Sequence, residues 1–135
     1  MDDTVMENNK SKPKNGKIVD DVSIKYYLND RFHREDGPAI EYLSGTKYWC
    51  INGEMHRDGN LPAVEFSNGD KFYYIHGKAH REDGPASEYV NGTKFYYLDG
   101  IEFSEQNYWK EIKRRKSLNY ILSNMKKKFG INYEQ

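Results

Sequence analysis

The chain has one cysteine, four prolines and no long apolar run. A lone thiol, Cys50, forms no internal disulfide and excludes a cysteine-built zinc site. It fits a reducing cytoplasm. No stretch approaches the roughly 20 apolar residues that span a bilayer, and no signal-peptide core follows the N-terminus. The expectation is therefore a cytoplasmic chain, neither transmembrane nor secreted. Aliphatic residues are scarce: Val, Ile, Leu and Phe number 26 of 135. Combined with a large net charge, that fraction marks disorder. Here 21 basic and 21 acidic side chains cancel, and 12 Tyr, 6 Phe and 2 Trp supply apolar area. Tyrosine buries a large ring and keeps a polar tip. One folded domain with an aromatic core is expected. The motifs of serine hydrolases, P-loop enzymes, zinc proteases and dinucleotide binders are missing. No enzyme, no cofactor and no catalytic residue is therefore expected.

The zero net charge hides an asymmetry. Residues 1–102 carry 13 basic and 18 acidic groups, whereas residues 103–135 carry 8 and 3. A basic C-terminal piece is joined to an acidic body, which bears on partners and on self-association. Residues 1–22 are polar and without periodicity. They read as a mobile tail ending in a short strand at Lys17–Val19.

Residues 23–103 hold an internal repeat. Tyr26-Tyr27-Leu28-Asn29-Asp30 leads into His33-Arg34-Glu35-Asp36-Gly37-Pro38-Ala39. Trp49-Cys50-Ile51-Asn52-Gly53 leads into His56-Arg57, and Tyr73-Tyr74-Ile75-His76-Gly77 into His80-Arg81-Glu82-Asp83-Gly84-Pro85-Ala86. A fourth copy starts at Tyr96-Tyr97-Leu98-Asp99-Gly100 and stops at Phe103. The Asn-Gly and Asp-Gly pairs favour the positive φ angles of two-residue hairpin turns. A second strand follows each Pro-Ala, over Ile40–Leu43, Val64–Phe66 and Ser87–Val90. The spacing predicts two strands per repeat in an up-and-down antiparallel meander.

This string resembles MORN-type repeats, and most closely a divergent form with a His-Arg-x-Asp-Gly-Pro-Ala signature found in small bacterial, phage and giant-virus proteins. The resemblance covers about residues 24–103. It implies a non-catalytic scaffold for protein or membrane contacts.

The last segment, 104–135, is predicted helical. Ser104 is the expected N-cap, with Phe103 and Tyr108 as a hydrophobic staple. Tyr108, Trp109 and Ile112 form one apolar patch; Leu118, Ile121, Leu122, Met125 and Phe129 form another. The two point about 120° or more apart at 100° per residue. Either the helix breaks near Ser117, or one straight helix carries two apolar faces. The fold class is thus mainly β, a hairpin meander capped by a basic amphipathic helix or helix pair.

The repeated histidines His33, His56 and His80 lie two strands apart, about 9–10 Å, too far to share one metal ion. They are expected to be structural, each in a His-Arg-x-Asp unit. Alternation places Tyr26, Leu28, Trp49, Ile51, Tyr73, Ile75, Tyr96 and Leu98 on one face, the face suited to the core. Tyr27, Tyr48, Cys50, Phe72, Tyr74, Phe95 and Tyr97 fall on the other, and cross-strand pairing is expected to add Glu41, Glu65 and Glu88 there. That aromatic and acidic face, omitting Cys50, is the expected partner site. A second candidate is the basic run Lys110, Lys113, Arg114, Arg115, Lys116, Lys126, Lys127 and Lys128. The 15 Lys, 12 Asn, 12 Tyr and 9 Ile against 4 Ala suggest an AT-rich genome. Together with the resemblance, this points to a phage or mobile-element protein-binding module. The implied partner is a host nuclease or CRISPR effector, blocked by an anti-CRISPR-like inhibitor whose acidic face mimics nucleic-acid charge. The alternatives are a nucleic-acid binder acting through the helix, and a membrane-associated scaffold. Homodimerisation is expected at the uncovered N-terminal edge.

Overall fold

The structure is a computed structural model and describes residues 11–130. Fourteen short strands precede one helix. They are β1 (Gly16–Val19), β2 (Ser23–Leu28), β3 (Arg31–Phe32), β4 (Ile40–Tyr42), β5 (Lys47–Tyr48), β6 (Cys50–Ile51) and β7 (Glu54–Met55). Then come β8 (Val64–Glu65), β9 (Lys71–Phe72), β10 (Tyr74–Ile75), β11 (Lys78–Ala79), β12 (Ser87–Glu88), β13 (Lys94–Leu98), β14 (Ile101–Phe103) and α1 (Glu105–Phe129). The main sheet is antiparallel in the order β1-β2-β4-β5-β8-β9-β12-β13-β14, with β3 also on β2. It is a meander of β-hairpins with one C-terminal helix. No helix among the described residues is long and apolar enough to cross a membrane.

Residues 71–75 do not form one continuous strand: β9 stops at Phe72 and β10 starts at Tyr74, and β5 and β6 are likewise separated at Trp49. The middle residue serves two partners. Tyr73 donates its N–H across the sheet to the Ala86 carbonyl at 2.8 Å and accepts from His80 N–H at 3.0 Å. Trp49 does the same with Ala63 and His56, at 2.7 and 3.0 Å. The second and third repeats leave the sheet after this residue and make small separate hairpins, β6-β7 and β10-β11, whereas Tyr26 of the first repeat makes the same two bonds, to Ala39 and from His33, inside an unbroken β2. The Asn52-Gly53 tip has φ of 50° and 81°, the left-handed pair that a two-residue turn of matching twist requires.

Both ends of the array are finished by residues that imitate a repeat. At the N-terminus Asn15 Oδ1 accepts from Asn29 N–H at 2.9 Å, and the Lys14 carbonyl accepts from Asp30 N–H at 3.0 Å. Inside the array His33 Nδ1 accepts from Asn52 N–H at 2.9 Å, and the Phe32 carbonyl from Gly53 N–H at 2.8 Å. Lys14-Asn15 thus stands in for a preceding Phe-His pair. The short strand expected at Lys17–Val19 is present as Gly16–Val19, an edge strand in register with Ile24–Tyr27. Residues 1–10 of the tail expected over 1–22 lie outside the described residues.

At the other end α1 runs unbroken for 25 residues. Ser104 Oγ accepts from Asn107 N–H at 3.2 Å, and Gly130 (φ 62°) closes the last turn. Residues 131–135 of the expected C-terminal segment lie outside the described residues. Tyr108 and Ile112 are buried against Tyr96 and Leu98, forming the one aliphatic and aromatic cluster under the helix. Tyr108 and Leu98 are both 0% exposed. Where a fourth arginine loop is missing, the Tyr108 ring lies 4.9 Å from Tyr96 and its hydroxyl accepts from Gly84 N–H at 3.2 Å. Glu111 bonds Arg114 at 2.7 Å and Arg115 at 3.0 Å, and these hydrogen bonds pull its carboxyl down to about 2.

Candidate binding surface

The signature residues of each repeat are engaged by the fold itself. His33, His56 and His80 each accept, at Nδ1, the first N–H of the next hairpin turn: Asn52, His76 and Asp99, at 2.9, 3.0 and 2.9 Å. Nδ1 must then be bare and Nε2 must carry the proton. Nε2 faces Glu35, Asp58 and Glu82 at 3.5, 3.0 and 3.3 Å. The arginines lie over their own repeat's aromatic ring. The guanidinium carbons of Arg34, Arg57 and Arg81 are 4.0, 3.8 and 4.0 Å from the centroids of Tyr26, Trp49 and Tyr73. Each also donates to a proline carbonyl: Pro38, Pro62 and Pro85 at 3.2, 3.0 and 3.1 Å.

This arrangement explains the Gly of the signature. A Cβ on Gly37 would lie 2.9 Å from the Arg34 guanidinium carbon, and one on Gly84 3.1 Å from that of Arg81. Side chains there would displace the stacked arginine. Ala39, Ala63 and Ala86 are buried, each next to the first residue of β4, β8 and β12. Among the described residues no three His, Cys, Asp or Glu side chains converge as a metal site would need. Cys50 is buried, and desolvation pushes its thiol up to about 11, away from the reactive thiolate.

The glutamates are not on the aromatic face. Glu65 stands directly opposite Lys47 and Lys71, and Glu88 opposite Lys71 and Lys94, whereas Phe72 stands opposite Val64 and Ser87. Directly opposed residues share a face, so the expected register was one residue out. A slip of one residue sends every side chain to the other side. Glu41, Glu65 and Glu88 pair with Arg34, Arg57 and Arg81, the first two at 3.5 and 3.4 Å. They are 33–35% exposed at the side chain, neutralised and on the arginine face.

Tyr48, Phe72 and Phe95 are joined instead by Tyr42, Phe66 and Tyr89, which sequence reasoning left out. The six rings form one zigzag ladder across the sheet. Successive centroids, from Tyr42 through Tyr48, Phe66, Phe72 and Tyr89 to Phe95, are 6.2, 6.1, 5.6, 5.2 and 6.2 Å apart. All five contacts are edge-to-face, at 76–87°. Such contacts add about 0.5–1.5 kcal/mol each beyond area burial. Tyr42, Phe66, Tyr89 and Phe95 nevertheless stay 36–39% exposed. Tyr74 borders the ladder, lining a shallow groove with Met55, Phe66 and Phe72. Tyr27 and Tyr97 sit in the end hairpins, Tyr27 opposite Phe32 and Tyr97 opposite Glu102.

The basic helix is on the opposite face from the ladder, over Tyr96 and Leu98. Arg114 is held by Glu111, and Arg115 by both Glu111 and Asp99. Lys110, Lys113, Lys116, Lys126, Lys127 and Lys128 are exposed. No family model, curated protein or solved structure matches this chain.

Proposed function

We propose that the chain is a non-enzymatic, MORN-like protein-binding module and that the six-ring ladder is its partner surface. The uncovered ladder carries this reading. Its rings are already fixed by one another, so ordering them on binding costs little. The facing and alternating positions from Ile40 to Phe95 are Ile40, Tyr42, Tyr48, Val64, Phe66, Phe72, Ser87, Tyr89 and Phe95, and none is charged. Charge-poor, aromatic-rich centres are typical of protein interfaces, whereas nucleic acid needs Lys or Arg against phosphate. The partner is therefore a protein with an apolar contact patch. A host nuclease or CRISPR effector fits this class only through such a patch. The acidic mimicry expected from Glu41, Glu65 and Glu88 lacks its charge pattern here.

Site-specific photo-crosslinking in a nuclease-treated lysate of the source cell tests the proposal. A photoreactive phenylalanine at Phe66 or Tyr89 should give a discrete protein adduct. The same group at Lys94, on the other face, should not. Equal yields from Lys94, or adducts that form only when the nuclease is left out, would remove the ladder from the binding site.

A further inference from the structure

On the arginine face the successive loops leave grooves between them, and one such position is already filled by a helix. Its floor is Tyr96 and Leu98, its occupants are Tyr108 and Ile112, and Arg115 reaches Asp99 at 3.2 Å. One wall is the third arginine loop, which offers Gly84 N–H and the Arg81 carbonyl to the Tyr108 hydroxyl. Two repeats earlier the corresponding floor is Trp49 and Ile51, lying between loops 33–38 and 56–62. This groove is open and has a volume of about 710 Å³. Its rim carries Glu35, Asp36 and Asp58, whose side chains are almost wholly exposed.

The same chain also carries a helix segment without a cover. Beyond Ser117, α1 keeps Leu118, Tyr120, Ile121 and Phe129 exposed. Ile121, Met125 and Lys128 repeat the spacing of Tyr108, Ile112 and Arg115: apolar, apolar four residues on, basic seven on. Residues 117–129 contain three lysines and no acid. The groove lining holds these three carboxylates and two arginines, of which Arg34 bonds Asp36 at 2.9 Å, so the rim keeps an acidic excess.

We propose that two copies of this chain pair reciprocally, the distal half of α1 from each lying in the Trp49–Ile51 groove of the other. Apolar burial on the groove floor supplies the attraction, and the lysines facing the carboxylate rim fix its direction. The pairing uses the face opposite the aromatic ladder and is independent of the function proposed above. It also differs from the edge-strand dimer expected from the sequence, because it leaves β1 free.

A charge-swap pair measured by light scattering after size exclusion tests it. The unaltered chain should run at twice its 16.0 kDa mass. Glu35→Lys/Asp58→Lys should be monomeric, and so should Lys126→Glu/Lys127→Glu/Lys128→Glu. Mixing the two should restore dimer, because each helix then meets a groove of opposite sign. Ile51→Lys probes the same groove if the double variant fails to fold. A monomeric parent chain at tens of micromolar would overturn the proposal. So would a dimer that ignores every groove variant yet is broken by Leu122→Asp, which would mark plain helix–helix pairing.

Discussion

Tyr108→Ala is expected to destabilise the chain by about 3–5 kcal/mol in urea unfolding, the range for deleting a buried aromatic. Only Tyr108 and Ile112 of α1 are buried. The ring lies 4.9 Å from both Tyr96 and Trp109. Its hydroxyl bridges Gly84 N–H and the Arg81 carbonyl, tying the helix to the last arginine loop. Without it Leu98 and Tyr96 face water, and the array loses its C-terminal cap. Terminal caps matter because each repeat is supported by its neighbours. Trp109 emission should shift to the red as the helix base detaches. Tyr108→Phe should lose about 1–2 kcal/mol, the hydroxyl bridge alone. Exposed Tyr120→Ala is the control, and a Tyr108→Ala loss no larger than that of Tyr120→Ala would contradict the capping role.

Arg81→Ala should cost about 2–4 kcal/mol, because it strands partners that are drawn out of water. Burial opposes the charge of Arg81, yet the hydrogen bonds it donates to Asp83 and Glu88 hold its pKa above the ordinary arginine value. Removing the guanidinium uncovers Tyr73 and leaves the Pro85 carbonyl and the Glu88 carboxylate without their donor. Arg81→Lys should recover less than half of the loss. An ammonium keeps the charge but has neither the plane that stacks on Tyr73 nor the fork that reaches three acceptors. Arg81→Met/Glu88→Gln should do better than Arg81→Ala, since it leaves no half-buried carboxylate unpaired. Equal stability of Arg81→Lys and the parent would show that stacking and fork geometry contribute nothing.

The turns were legible in the sequence because their chemistry is local. Asn52-Gly53 and Asp99-Gly100 adopt the positive φ angles that their residue types favour. Ser104 and Gly130 bound the helix for similarly local reasons. Alternation along one strand also held: Trp49 and Ile51 line the groove face, while Tyr48 joins the ladder. What failed was the phase between strands. The faces of Glu41, Glu65 and Glu88 depend on the loops at residues 33–39, 56–63 and 80–86, which are not tight turns and do not transmit a count. One local mark of that phase lies in the sequence. An aromatic follows each of these glutamates: Tyr42, Phe66 and Tyr89. Neighbours on a strand face opposite ways, so three aromatics and three glutamates could not share the ladder. The break at Tyr73 was hidden for a different reason. Tyr73 pairs with Ala86 and His80 just as Tyr26 pairs with Ala39 and His33 inside the unbroken β2, so no local sequence mark separates the two cases. For α1, composition showed two apolar patches but not their fates. Tyr108 and Ile112 of the first patch are buried against Tyr96 and Leu98, whereas Leu118, Ile121 and Phe129 of the second stay exposed.

The repeated histidines act as fixed acceptors that couple each repeat to the next, leaving the ladder as the free surface. Nitrogen-15 NMR of the imidazole rings tests it most directly. His33, His56 and His80 should each show a bare, hydrogen-bonded Nδ1 and a protonated Nε2, with Nδ1 coupled to the amides of Asn52, His76 and Asp99. Exposed His76 should show averaged tautomers. Averaged tautomers at the three repeat histidines, or protons resident on Nδ1, would contradict the claim.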